Sequence, residues 1–439
     1  MAALARLIPR ATPRRARAMS SAGPLAGVRV LDLSRVLAGP MCSQNLADLG
    51  ADVWKVERPG CGDDTRAWGP PHAADGTSTY FLGCNRNKRS LALDLQHPDG
   101  RATAARLAAR ADVVLENFLP GKADELGLGF EALSADNPRL IYCSISGYGG
   151  SGPYSRFPGY DVIVSALGGL IGITGSDEAP AKTGVALIDQ MAGLHAQAAI
   201  SAALYARATS GRGQRIEVSL LDTCVHSLAN IASSELNSSA PTATCGSDTL
   251  AAAAGPKRWG TAHPSIVPYQ AFDAADGKLI LGAGNDGQWR ALRRLLGEPE
   301  SLADERYDTN SGRVGRREEL LAALSAILGA RSVAHWLELL SGSIPCAPLN
   351  SVADVFADAQ VQHNRTVVEA GDGRSSYRGV KSPQTNNFGR PAEEMLAPPR
   401  LGEHSAELLR EVLEYRESEI EALAASGCIQ LRPDRAGEG

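Results

Sequence analysis

The stretch GVALIDQMAG, residues 184–193, sets one carboxylate, Asp189, between an apolar run and a segment of small residues that reads as the start of a helix. An acid in such surroundings is costly to bury without a partner or a task. As a helix N-cap, Asp189 would accept from backbone N–H groups two or three residues on; Ala192 stands where a capping box would have Glu or Gln, so that signal is partial. As a nucleophile, an aspartate is already ionised near neutral pH and needs no general base. A helix start would hold the anion and stabilise charge developing beside it. On these residues alone, the cap is the commoner use.

Other motifs offer less. GYGGSG (Gly147–Gly152) matches G-x-G-x-x-G and follows a strand-like run, but Pro153 closes it and SRFPG continues as loop. No helix starts there to receive a pyrophosphate, so the motif reads as a Gly-rich turn and a nicotinamide enzyme is disfavoured. No Ser lies in a G-x-S-x-G elbow, and the eight His form neither H-x-x-x-H nor H-E-x-x-H. His195, a turn and a half after Asp189, reads as a satisfied helix histidine. The eight cysteines are scattered without a C-x-x-C, which points to a reducing compartment with neither a disulfide frame nor a zinc site. The sequons at Asn237 and Asn364 then carry little weight, and Cys143, inside LIYCSIS, reads as a small buried hydrophobe.

The elements around these residues alternate. GVRVLDLS and ADVWKVER read as strands flanking a helix, AGPMCSQNLADLG, that ends at Gly50. PDGRATAARLAARA reads as a helix capped by Asp99, and DVVLENF and RLIYCSIS as further strands. After Gly147 two helical stretches follow, DVIVSALGGLIGITG and DQMAGLHAQAAISAALYARATSG, the second ending at Gly211; GRGQRIEVSLLD returns as a strand. Strands alternating with helices imply a parallel sheet covered on both faces. Residues 232–256 are rich in Ser, Thr, Ala and Gly and read as a linker or mobile loop. Beyond them IVPYQAF and KLILGAG read as strands and DGQWRALRRLLG and RREELLAALSAILG as helices. SIPCAPLNSV, from residue 343, starts a return segment ending in the helix EHSAELLREVLEY.

A chain of 439 residues suggests two domains. No window reaches the roughly 18 to 20 apolar residues of a membrane span. The net charge of -5 and the lack of a basic run beyond the N-terminus give no pull toward nucleic acid. The first 31 residues hold six Arg and no acid, the composition of a mitochondrial transit peptide, here assigned to residues 1–23. Losing Arg6, Arg10, Arg14, Arg15 and Arg17 with it would leave a distinctly acidic mature chain.

Several stretches together resemble the family III CoA-transferases, the formyl-CoA transferase and carnitine/bile-acid CoA-transferase group. They are VLDLSRVLAGPMCSQNLADLGADVWKVERPGCGD, NKRSLALDL, DVVLENFLPG, NPRLIYCSISGYGGSGPY, GVALIDQMAG, SGRGQRIEVSLLD, HPSIVPYQAF, IPCAPLNSV and LGEH. The likeness runs in register from about residue 24 to the C-terminal helix, and no single piece carries it. It implies an α/β fold: a Rossmann-like large domain from residues 24–231 and 343–439, with a smaller α+β domain at 257–342 inserted between. It also implies an interlocked homodimer in which each chain threads a ring made by the other.

The resemblance places the family's catalytic aspartate on Asp189 and its CoA contacts on Arg58, Leu93, Asn117, Phe118, Ser146, Gly147, Tyr148 and Gly149. Ser146 stands where formyl-CoA transferases use a basic residue for CoA, and AAAAGPKRWG is the nearest equivalent of a polyglycine loop over the site. The implied partners are an acyl-CoA and a free dicarboxylic acid, succinyl-CoA as donor and glutarate as acceptor. A distal carboxylate requires a cation, and Arg258, with Lys257 beside it, is the candidate. No cofactor or metal is implied, because one thioester is exchanged for another. A 2-methylacyl-CoA racemase of the same superfamily would need a second acid/base where this chain has Tyr160, and tyrosine is a poor base for a 2-proton at neutral pH. A non-catalytic CoA-binding scaffold would keep the CoA contacts and use Asp189 only as a cap.

Overall fold

The computed structural model describes residues 23–237, 257–371, 376–384, 388–389, 391 and 394–431. Its strands are β1 (Arg29–Asp32), β2 (Asp52–Glu57), β3 (Lys88–Leu93), β4 (Val113–Glu116), β5 (Ile141–Ser146), β6 (Gln214–Ser219), β7 (Tyr269–Asp273), β8 (Lys278–Gly282), β9 (Cys346–Pro348), β10 (Val367–Gly371), β11 (Ser376–Val380) and β12 (Ile429–Gln430). Two compact units result. The first comprises the described residues up to Gly159, Ile188–Leu220 and those from Arg365 onward; the second comprises Tyr160–Leu187 and Leu221–Asn364.

In the first unit seven strands form one sheet in the order β12-β3-β2-β1-β4-β5-β6. β1 to β6 are parallel, and β12 closes one edge antiparallel to β3. β4, VVLE, is buried along its length and β1 from Val30 to Asp32, as a sheet covered on both faces requires. Leu31, Trp54, Leu91, Leu107, Val114 and Tyr142 share one core with Leu408, Leu409 and Ile420 from the C-terminal helices Ser405–Leu413 and Glu417–Ala425. The two ends of the chain thus complete one domain.

Helix α1 (Ala38–Asp48) follows β1, and α2 (Pro98–Ala108) follows β3. The cap of α2 is His97, whose Nδ1 accepts from the Asp99 N–H at 3.2 Å, and not Asp99 as the sequence suggests. Pro98 takes the first helical position, where its fixed φ and missing N–H cost nothing, and so moves the cap one residue earlier.

Helix α3 (Leu187–Ser210) crosses from β5 to β6. Near its end Arg207 donates to Asp112 Oδ1 at 2.8 Å and to the Arg139 carbonyl at 3.0 Å, both just before the amino ends of β4 and β5. Its start therefore lies at the opposite, carboxyl edge of the sheet.

The second unit holds an antiparallel sheet, β7-β8-β9, with helices Asp286–Leu295, Arg317–Leu328 and Val333–Leu340 around a core of Phe272, Leu281, Trp289, Leu324 and Trp336. β9 begins the segment expected to lead back to the large domain, yet it pairs with β8 and extends this unit beyond residue 342. The start of the stretch read as a linker is helical, Ala229–Asn237; residues 238–256 lie outside the described residues, as do residues 1–22 of the assigned transit peptide.

Replacing Arg207 with Met would take the ion pair from Asp112 Oδ1, whose Oδ2 keeps the Arg29 N–H, and the 3.0 Å donor from the Arg139 carbonyl. The expected loss is about 1–3 kcal/mol, measured as a lower urea midpoint at unchanged slope.

Candidate active site

The sheet orders the chain so that β1 and β4, adjacent in space, lead away in opposite directions. In open parallel sheets, ligands bind outside the carboxyl ends of the strands at such a reversal. Every residue expected to touch CoA lies on that edge. Arg58 follows β2 and Leu93 ends β3; Asn117 and Phe118 follow β4; Ser146 ends β5 and Gly147, Tyr148 and Gly149 follow it.

Side chains from neighbouring strands hold the turn between β1 and α1. The Ser34 carbonyl accepts from Lys55 Nζ at 2.9 Å. Asn117 pairs reciprocally with Arg35, its Oδ1 accepting from the N–H at 3.0 Å and its Nδ2 donating to the carbonyl at 2.8 Å. The Val36 N–H donates to Asp63 Oδ1 and Oδ2 at 3.2 and 3.3 Å. Val36 has φ of 72°, a left-handed conformation that costs a β-branched residue about 1–2 kcal/mol and needs outside support. One expected CoA contact, Asn117, therefore also clamps the turn beside it.

Beneath the turn lies a cluster of buried charges. Asp32 accepts from the Ser34 and Ser43 hydroxyls at 2.5 Å and from Lys88 Nζ at 3.3 Å. Burial raises its carboxyl, but Lys88, Lys55 and the two hydroxyls outweigh that and hold it below the usual carboxylate range. Burial works likewise on Asp63, which Lys55 at 2.9 Å and the Thr65 donors bring down to about 2. Glu57 grips Arg66 through two bonds of 2.7 and 2.8 Å and accepts from Ser90 Oγ at 2.6 Å. The Gly60 N–H, two residues after Arg58, donates to Gln430 Oε1 at 2.7 Å, so the C-terminal strand steadies the Arg58 loop.

After β5, GYGGSG forms a turn-rich loop that no helix follows directly, the next beginning at Asp161, as expected for a motif closed by proline. The Gly149 N–H donates to Ser146 Oγ at 3.0 Å. Gly147 and Gly159 meet back to back; a Cβ on Gly147 would lie 3.0 Å from the Gly159 Cα. A cavity of about 370 Å³ opens beside this loop, lined by Glu116, Phe118, Ser146, Arg156, Arg215 and Glu217 among others. Glu116 is buried there and pushed above its ordinary value by desolvation, against hydrogen bonds from Ser144 and the Phe118 N–H. The sequence reading missed Glu116; an acid ending an otherwise apolar strand, VVLE, is the signal that marks it.

Asp189 lies within the first turn of α3, at its third residue, rather than at the cap. It is half-buried, and His195 is exposed. Gly193 stands one turn on, on the same helix face. A Cβ at Gly193 would lie 2.7 Å from the Ala38 carbonyl and 3.4 Å from Met41 Cβ, so α3 sits directly on the first turn of α1. This contact brings the Asp189 end of α3 to the carboxyl edge that carries the eight other residues.

Arg258 belongs to the second unit. Its guanidinium donates to the Ser176 and Asp177 carbonyls at 2.8 and 3.0 Å, while Lys257 pairs with the Asp177 carboxylate at 2.7 Å. The part of AAAAGPKRWG before Lys257 lies outside the described residues.

Residues 25–405 match the family model for CoA-transferase family III. The chain belongs to that family. Among its family III relatives, the succinyl-CoA:glutarate CoA-transferase of Mus musculus is 46% identical over 93% of this chain and 90% of its own length. The human protein of that name is 42% identical over 94% and 91%. The succinate–glutarate CoA-transferase of Agrobacterium fabrum is 44% identical over 89% and 96%. A CAIB/BAIF family protein from Brucella suis superposes with a TM-score of 0.77 at 42% identity, covering 89% of this chain and 99% of that one.

Two outcomes follow for this family III site. Gly193→Val forces α3 off α1 and should lower turnover at least about tenfold while the protein stays folded by circular dichroism. The Lys55–Asp63 pair contributes stability in full above the unfolded Asp value of about 3.9 and loses it as pH falls toward 2, because the folded carboxyl is the more acidic. In acid titration followed by circular dichroism, Asp63→Asn should flatten the unfolding limb in that window.

Proposed function

We propose that this chain moves CoA from succinyl-CoA to glutarate through a covalent aspartyl-CoA thioester on Asp189. The observation that carries this reading is the seating of the Asp189 turn, through Gly193, on the carboxyl edge that also bears the eight expected CoA contacts. The substrates named for the mouse, human and Agrobacterium relatives support the choice of acids.

The reaction balances without a further reagent. An Asp189 oxygen attacks the acyl carbonyl, the C–S bond breaks, and CoA leaves as a thiolate from a mixed anhydride. The thiolate attacks Asp189 Cγ and expels the first carboxylate, leaving aspartyl-CoA. The acceptor carboxylate then attacks Cγ and releases the thiolate, which takes the new acyl group and frees Asp189. No ATP, metal or cofactor enters. Water must be kept from the anhydride.

The distal carboxylate of each acid calls for a cation, and Arg258 retains N–H donors beyond those given to carbonyls. A homodimer agrees with the exposure of Leu194, Tyr205 and Leu236, large apolar groups otherwise left in water. The arginine-rich, acid-poor N-terminus supports import into the mitochondrial matrix. The Tyr160 position gives no support to racemisation, since the ring is exposed and tyrosine is a poor base near neutral pH.

Enzyme mixed with acyl-CoA and no acceptor should accumulate one CoA per chain by intact mass, mapping to GVALIDQMAG. Asp189→Asn should abolish turnover at a stability cost within about 1 kcal/mol, because a neutral amide cannot form the anhydride. An Asn variant of normal activity, or an adduct on cysteine, would sink the mechanism. For the acceptor, Arg258→Ala should raise the glutarate KM far more than the acyl-CoA KM; equal activity with butyrate and glutarate would contradict a dicarboxylate site.

A further inference from the structure

We propose that Asp63 is a positioning residue for the chemistry at Asp189, acting through the left-handed Val36. This inference rests on Asp189 being the nucleophile. Asp63 is buried, and its two oxygens meet three sets of donors. Lys55 Nζ reaches Oδ2 at 2.9 Å, Thr65 donates its N–H and hydroxyl to Oδ1 at 3.0 and 2.8 Å, and the Val36 N–H is shared between both oxygens. The first two partners fix where the carboxylate stands. The third spends that fixed position on a single backbone N–H.

Val36 is the residue that needs it. At φ of 72° it has the backbone of a glycine with the side chain of a valine, and on its own it would relax to negative φ. Such a relaxation turns the peptide plane and redirects the chain two residues before α1 begins. The first turn of α1, through the Ala38 carbonyl and Met41, is the surface on which Gly193 of α3 rests. Gly193 lies one turn from Asp189. The connection is short and runs through packed backbone: Asp63 to Val36, Val36 to the start of α1, and α1 to the helix that carries the nucleophile. The remaining polar groups of the turn are held as well, Ser34 by Lys55 and Arg35 by Asn117. Asp63 takes the N–H of the strained residue itself, whose carbonyl accepts from the Cys84 thiol at 3.7 Å.

The test is a cycle on the full chain: Asp63→Ala, which removes the acceptor, and Asp63→Glu, each with and without Val36→Gly, and Val36→Gly alone as the fourth corner. Glu keeps the charge opposite Lys55 while moving the acceptor off the Val36 N–H; Gly adopts the left-handed conformation unaided. Folding is followed by thermal melting, and single-turnover formation of the Asp189 adduct is timed alongside kcat and the acyl-CoA KM. Folded Asp63 variants should form the adduct about tenfold or more slowly, with acyl-CoA KM within about threefold of wild type, and Val36→Gly should recover most of the loss.

Normal adduct rates in a folded Asp63 variant, or a loss that Val36→Gly does not relieve, would overturn the inference. So would unfolding of both variants that Val36→Gly leaves uncorrected, which would make Asp63 a stability element only. Absence of any Asp189 adduct in the wild type is a separate failure: it removes the nucleophile, and this inference with it.

Discussion

Five charged side chains, Asp32, Lys55, Glu57, Asp63 and Lys88, are buried among the first three strands and the loop after β2, and the turn from β1 into α1 depends on their pairing. A charge removed from water is tolerated only with a partner and with its hydrogen bonds met. Here the partners come from different places: Asp32 from β1, Lys55 from β2, Lys88 from β3 and Asp63 from the loop after β2. Their pairing requires one strand register and one path for the turn into α1. Apolar contacts alone, being non-directional, would tolerate neighbouring arrangements. The lysines also bond backbone directly, Lys88 to the Pro40 carbonyl and Lys55 to that of Ser34, so the charges that select the register also hold the chain that borders the site.

The second unit uses a comparable device. Arg313 is fully buried and donates to the Val267 and Tyr307 carbonyls at 2.7 and 2.8 Å, while Arg317 donates to the carbonyls of His263 and Pro264. The segment HPSIVP has little regular structure of its own, and these guanidinium groups supply the partners that a ladder would otherwise provide. Two arginines within RVGRR, together with Asn310, thus hold a stretch some fifty residues away. That relation is invisible to any local reading.

Legibility followed the source of each residue's environment. GVRVLDLS, DVVLENF and RLIYCSIS read as strands because a strand buried on both faces must be apolar almost throughout. KRSLAL does not read as a strand on periodicity, because Lys88 and Arg89 open it with two charges; Lys88 in fact turns inward onto Asp32. Asp99 looked like a cap by residue type, and the proline before it moved the cap to His97. Asp189 looked like a cap for the same reason, and only the resemblance over many separate stretches gave it another use. Charge marks Arg258 as a cation for a carboxylate, yet nothing local in the sequence shows that its guanidinium is tied to the carbonyls of Ser176 and Asp177.

The sequence by itself determined the alternation of strands and helices, the parallel sheet, the turn at GYGGSG and, through its motifs taken together, the family. These depend on side-chain period, glycine and proline, which act over a few residues. Only the tertiary structure decided that Val36 is left-handed, that Asn117 clamps Arg35, that Glu116 is buried beside a cavity and that Gly193 seats α3 on α1. Each of these joins residues distant in the chain, and their energies come from directional bonds and close contacts that exist only once the strands have taken their places. A valine at positive φ is disfavoured by its own chemistry; the carboxylate that holds it there lies 27 residues further along.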